Sequence, residues 1–118
     1  IINIIDKIMA TKEQQIEKYT AQLKIAKVPL NKDLLETVVT MVGPANYQLD
    51  AMFVAGSDKK ELATIVKNFI LKKLALDDEA KATKTLNTII EKLKESGIRK
   101  KYRAVVYYML VKKIGIKA

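Results

Sequence analysis

Val105-Val106-Tyr107-Tyr108-Met109-Leu110-Val111 is a continuous run of β-branched, aromatic and long aliphatic side chains, and its reading decides the fold. By intrinsic propensity it reads as a buried strand. Its surroundings argue otherwise. Ile98, Tyr102, Val105, Val106 and Met109 fall on one side of a helix, and no other run in the chain offers a convincing strand partner. A lone strand leaves its backbone N–H and C=O groups unpaired. Residues 99–113 are therefore predicted to form a helix that ends before Gly115 and is buried on more than half of its circumference.

Working back towards the N-terminus, the same period recurs. Ile16, Tyr19, Leu23 and Ala26 follow i, i+3, i+7 and i+10, which predicts a helix over 12–27 capped by Thr11 and stopped by Val28-Pro29. Asn31 is placed to cap a second helix, 32–42, whose apolar face of Leu34, Leu35, Val38, Val39 and Val42 is wide for its length. A third helix, 59–74, carries Leu62, Ile65, Val66, Phe69, Ile70 and Leu74, with Asp58 and Glu61 spaced as a capping box or Ser57 as the cap. Ala82, Leu86, Ile89, Ile90 and Leu93 define a fourth, 79–95, ending at Ser96-Gly97 with glycine in the C′ position. Residues 43–57 are the longest irregular stretch. Tyr47, Leu49, Met52, Phe53 and Val54 make it too apolar for a free linker, so it is expected to pack as a short helical turn followed by extended chain. The predicted fold class is all-α: one compact bundle of about five helices, 9–118, with one longer ordered loop.

Composition removes much chemistry. The 118 residues contain no Cys, no His and no Trp. Disulfides, thiolate nucleophiles, imidazole bases and Cys or His metal sites are therefore excluded. There is no glycine-rich phosphate loop and no metal-ligand spacing, and Asp77-Asp78-Glu79 reads as the start of a helix, capping N–H groups and meeting the positive end of the dipole. No cofactor and no enzymatic activity are expected. Asp50, beside Tyr47 in the apolar loop, is the one acid without an obvious structural use. Tyr47 and Asp50 are the candidate functional loop residues. No apolar run approaches the roughly 20 residues of a membrane-spanning helix.

Charge is distributed unevenly. The formal net charge is +9, and residues 94–118 hold eight cations against Glu95 alone. Lysine outnumbers arginine twenty to two, a usage expected of an AT-rich genome, so position matters more than the total. Arg99, Lys100, Lys101, Arg103, Tyr107, Tyr108, Lys112 and Lys113 form the candidate binding surface. On a helical wheel Lys100, Arg103 and Tyr107 share one stripe and Lys101, Tyr108 and Lys112 another. Such cations and rings suit phosphates, and the fourth helix, the Ser96-Gly97 turn and the last helix have the order of a helix-turn-helix. A recognition helix exposes base-reading polar groups, however, and past Arg103 this one offers Ala104, Tyr107, Tyr108 and Val111. The competing reading is a central core helix whose cations snorkel to solvent. Exposed Tyr107, Tyr108 and Val111 equally suit a protein interface.

Residues 1–8, Ile1-Ile2-Asn3-Ile4-Ile5-Asp6-Lys7-Ile8, differ from the rest, and Met9-Ala10-Thr11 reads as a natural start. The expectation is that 1–8 is an upstream extension the fold does not need. From there Gly43-Pro44-x-x-Tyr47-x-x-Asp50-Ala51, Val54 to Ser57-Asp58-x-x-Glu61-Leu62, Lys67-Asn68-Phe69-x-x-Lys72-Lys73-Leu74 and Arg99-Lys100-Lys101-Tyr102-Arg103-Ala104-Val105-x-Tyr107-Tyr108-x-Leu110 together resemble the bacterial domain-of-unknown-function family 2853. Gly56 and Ala75 depart from that pattern. The resemblance implies a compact cytoplasmic bacterial domain and supplies no activity, cofactor or functional residue. Two functions follow. The preferred one is a non-enzymatic interaction domain that uses its last helix against a protein partner or a second copy of itself. The alternative is sequence-nonspecific nucleic-acid binding through the C-terminal cations.

Overall fold

The computed structural model describes residues 11–117. The expected extension 1–8 and the start at Met9 lie outside the described residues. Five helices form: α1 (Lys12–Ile25), α2 (Lys32–Val42), α3 (residues 59–73), α4 (Glu79–Glu95) and α5 (Arg103–Ile114). Their caps follow from the sequence. Thr11 and Gln14 exchange side-chain and backbone hydrogen bonds as a capping box. Asn31, Asp58 and Asp78 accept from the first free N–H groups of α2, α3 and α4. Lys27, at φ 58°, and Gly97, at φ 84°, take the left-handed conformation that ends α1 and α4, while Val28 and Ile98 close them by bonding back to Leu23 and Leu93.

The ambiguous run is helical and forms the centre of the molecule. Ala104, Val105, Val106, Tyr108, Met109, Leu110 and Val111 are all buried, so α5 is enclosed by α1, α2 and α4 rather than lying on the surface. It begins later than expected. Lys101 and Tyr102 form a short strand, β2, antiparallel to β1 (Phe53–Val54), in the register Phe53 to Tyr102 and Val54 to Lys101. Two forces hold this segment extended. The Tyr102 ring stacks on Phe53 at 4.8 Å and meets Tyr19 edge-on at 5.0 Å. From the other side the buried Gln22 amide donates to Lys100 O (2.8 Å) and accepts from Tyr102 N (3.0 Å), standing in for a third strand. The Arg103 N–H at the start of α5 is taken by Met52 O at 2.7 Å.

The loop before β1 is ordered as expected, a 3-10 turn over Gly43–Tyr47 followed by extended chain. Asn46 fixes it from inside, donating to Val39 O and Gly43 O and accepting from the Tyr19 hydroxyl at 2.9 Å. One feature of α3 has no sequence signature: its middle turn, Val66–Ile70, is a π-turn in which Leu71 N bonds Val66 O. After α5 the tail pairs with the end of α3, through Ala75 N to Gly115 O and Lys117 N to Lys73 O, each 2.9 Å.

Candidate functional site

The start of α5, the π-turn of α3, the end of α2 and the loop together enclose a groove of about 510 Å³. Met41, Val42, Phe69 and Tyr107 form its apolar wall, and Asp50, Thr64, Asn68 and Lys73 its polar rim. The π-turn matters here. Its extra residue per turn brings Asn68 and Phe69 to the groove together, with the Phe69 ring stacked on Tyr107 at 3.9 Å and 16°.

Arg103 holds the two sides of the groove in place. Its Nε donates to Ala51 O (2.7 Å), Nη1 to the Tyr107 hydroxyl (3.2 Å), and Nη2 to Phe53 O (3.4 Å) and Glu61 Oε1 (2.5 Å). The other Glu61 oxygen accepts from Ala55 N at 3.3 Å. One guanidinium therefore ties loop, β1, α3 and α5 together, which a planar fork of donors suits. Burial works against its charge, but the hydrogen bonds from Arg103 to Tyr107 and Glu61 outweigh that and raise its pKa further. Because the Tyr107 oxygen accepts from Arg103, its own O–H remains as a donor beside the groove.

The residues singled out from the sequence separate into three groups. Asp50, Arg103 and Tyr107, from a loop and a helix some fifty positions apart, come together in this groove. Arg99, Lys100, Lys112 and Lys113 are exposed, but at opposite ends of α5. The nine positions from Arg103 to Lys112 span roughly 14 Å of helix axis. Tyr47 is 40% exposed on the loop. Two expectations are corrected. Tyr108 is fully buried, its hydroxyl donating to Pro29 O (2.7 Å) and accepting from Asn31 N (2.8 Å), so neither it nor the buried Val111 presents a surface. Lys101 is 8% exposed, its stem lying against Gly56 and its ammonium on Arg99 O. The shared helical stripes of Lys100 and Lys101 do not exist, because both precede the helix. For the same reason the segment is not a helix-turn-helix: β2 separates α4 from α5, and the helix that would read a groove is the core of the domain. α5 is the core helix of the competing reading, with Lys112 and Lys113 reaching solvent, whereas Arg103 turns inward to Glu61.

Glu61, Thr64, Asn68 and Lys73 were missed. Glu61 reads as a capping residue, whereas Asp58 alone caps α3 and Glu61 turns to Arg103. The buried glutamines left a signal, since Gln15, Tyr19, Gln22 and Ala26 share an i, i+4, i+7, i+11 stripe and all four are buried. Among the described residues no group of three acidic side chains is placed to hold a metal, and no helix is long and apolar enough to cross a membrane. In comparisons with known proteins, a family model described as "Protein of unknown function (DUF2853)" matches residues 18–118, beginning within α1. No curated protein matches the chain.

Proposed function

The chain belongs to the DUF2853 family, whose description assigns no activity, and from that premise we propose that it is a non-enzymatic interaction domain that receives a segment of a partner protein in the groove between the loop, α3 and α5. The observation that carries this reading is the convergence of Asp50, Arg103 and Tyr107 around an apolar wall with a polar rim, the anatomy of a protein interface. Leu49, next to Asp50, supports it: this large apolar side chain is 80% exposed within the exposed stretch 47–50 that borders the groove. The absence of His and Cys from the sequence supports a binding role over catalysis.

The test is site-specific photocrosslinking in cells of the source organism. A benzophenone amino acid at position 49 should give a discrete protein adduct that disappears when Thr64→Trp fills the groove. The same probe at Lys84, on the outer face of α4, should not give that adduct. Identical adducts from both positions would overturn the reading. So would retention of nucleic acid by the purified protein with affinity that falls steeply as salt rises, since counterion release governs that mode. Sedimentation over a wide concentration range separates a second copy of this chain from a different protein as the partner.

A further inference from the structure

At the far end of α5 from the interaction groove lies a second, smaller hollow of about 200 Å³. Its floor is Val28, Ile89 and Met109, contributed by the α1–α2 turn, α4 and α5, and its rim carries Lys92, Lys112 and Lys113 with no carboxylate among the lining residues. Neither of the two ion pairs among the described residues involves these lysines. Lys112 is positioned, its ammonium donating to Pro29 O at 2.9 Å and lying 5.9 Å from the Tyr108 ring centre, which leaves it two further donors. The acids nearest in sequence, Glu91 and Glu95, line the outward face of α4, which Lys92 also borders.

From this combination we infer that the hollow is a binding site for a short aliphatic carboxylate, the chain on the Val28, Ile89 and Met109 floor and the headgroup among the three ammonium groups. Charge complementarity sets the sign of the headgroup. The apolar floor distinguishes the site from a polyanion track: Ile89 and Met109 are 4% and 7% exposed, and the small edge they and Val28 show is what a single short chain covers and a phosphate backbone does not. Size sets the length: pockets that enclose drug-sized ligands run to roughly 300–1,000 Å³, so this one takes a single short chain. The competing account is that Lys112 and Lys113 only complement the negative end of the α5 dipole, in which case position matters and headgroup specificity does not arise.

Octanoate, octanol and octyltrimethylammonium, each below the concentration at which it self-associates, are titrated against the intact chain while the methyl resonances of Met109 and Ile89 are followed. Octanoate should shift both and saturate, with octanol at least tenfold weaker and the cation without effect. Lys92→Gln with Lys113→Gln should weaken octanoate at least fivefold with no loss of melting temperature. Thr88→Trp, which plugs the hollow and leaves every lysine in place, should abolish the shifts. Equal binding of octanol and octanoate, or no saturable shift of Met109, overturns the assignment. So does undiminished octanoate binding in the Thr88→Trp variant.

Discussion

Tyr19, Gln15 and Asn46 form a buried polar cluster in which the Tyr19 hydroxyl donates to Asn46 and accepts from Gln15 at 3.3 Å. Burial pushes the Tyr19 pKa up to about 12, against the opposing hydrogen bond from Gln15 and with smaller contributions from Tyr102 and Tyr47. The folded value lies above the unfolded one of 10.0, so the contribution is fully present below pH 10 and is lost as pH rises towards 12. Stability measured by denaturant should fall by roughly 2–3 kcal/mol over that interval, and Tyr19→Phe should flatten this part of the profile. Gly56 shows a steric constraint. A Cβ added there would sit 2.9 Å from Ile90 Cγ2, a branch methyl without freedom to swing away. Gly56→Ala should therefore cost about 1–3 kcal/mol in thermal or chemical unfolding. At Arg103 the fork matters more than the charge. Arg103→Lys should lose about 2 kcal/mol and loosen the loop, because one ammonium cannot reach Ala51 O, Phe53 O and Glu61 together. Amide exchange at Ala55, whose N–H is held by Glu61, reports the loosening.

At the scale of elements, α5 and α3 explain what local patterns can and cannot convey. The 105–111 run resembles a strand because it is buried all round, and a side chain enclosed on every side carries no alternation to separate helix from strand. The lack of a long partner strand resolved it correctly. The start of α5 escaped because its two preceding residues are held extended by Phe53–Val54 and by Gln22, contacts from 47 to 80 positions away. The π-turn escaped for a different reason. A single inserted residue leaves the apolar period before and after it intact, and the apolar residues of 62–74 accommodate it without a break. Deleting Lys67, an exposed residue of that turn, should return α3 to a plain α-helix with the phase of Leu71–Lys73 preserved. Far-ultraviolet circular dichroism should be unchanged, while the adduct from position 49 is lost because Asn68 and Phe69 rotate away from the groove.

For the whole molecule, charge is the dominant surface property. A net charge of +9 is opposed by only two ion pairs among the described residues, one of them between largely exposed partners. Self-repulsion therefore exceeds pairing, and screening it should help: raising ionic strength from about 10 to 200 mM shortens the Debye length from roughly 30 to 7 Å. The melting temperature should rise by a few degrees. A fall would mean that attractive pairs outweigh repulsion. The charge also proved less concentrated in effect than in sequence. Of the eight cations in residues 94–118, Arg103 and Lys101 serve the interior, and Lys112 and Lys113 stand apart from Arg99 and Lys100.

Five helices, their caps and most of the apolar faces are determined by the sequence alone, because capping and amphipathic period act over one to four residues and every such signal is local. The groove is a different kind of object. Asp50, Asn68, Arg103 and Tyr107 are distant in the chain, and each has a bland local reading as turn, exposed helix face, snorkelling cation or buried ring. The last helix reads as mostly buried from its sequence, but only the tertiary structure decided that its cations divide between a clamp at one end and a lysine rim at the other. The physical reason is that burial and side-chain partners are set by the packing of all five helices at once, and no window of the sequence contains that information.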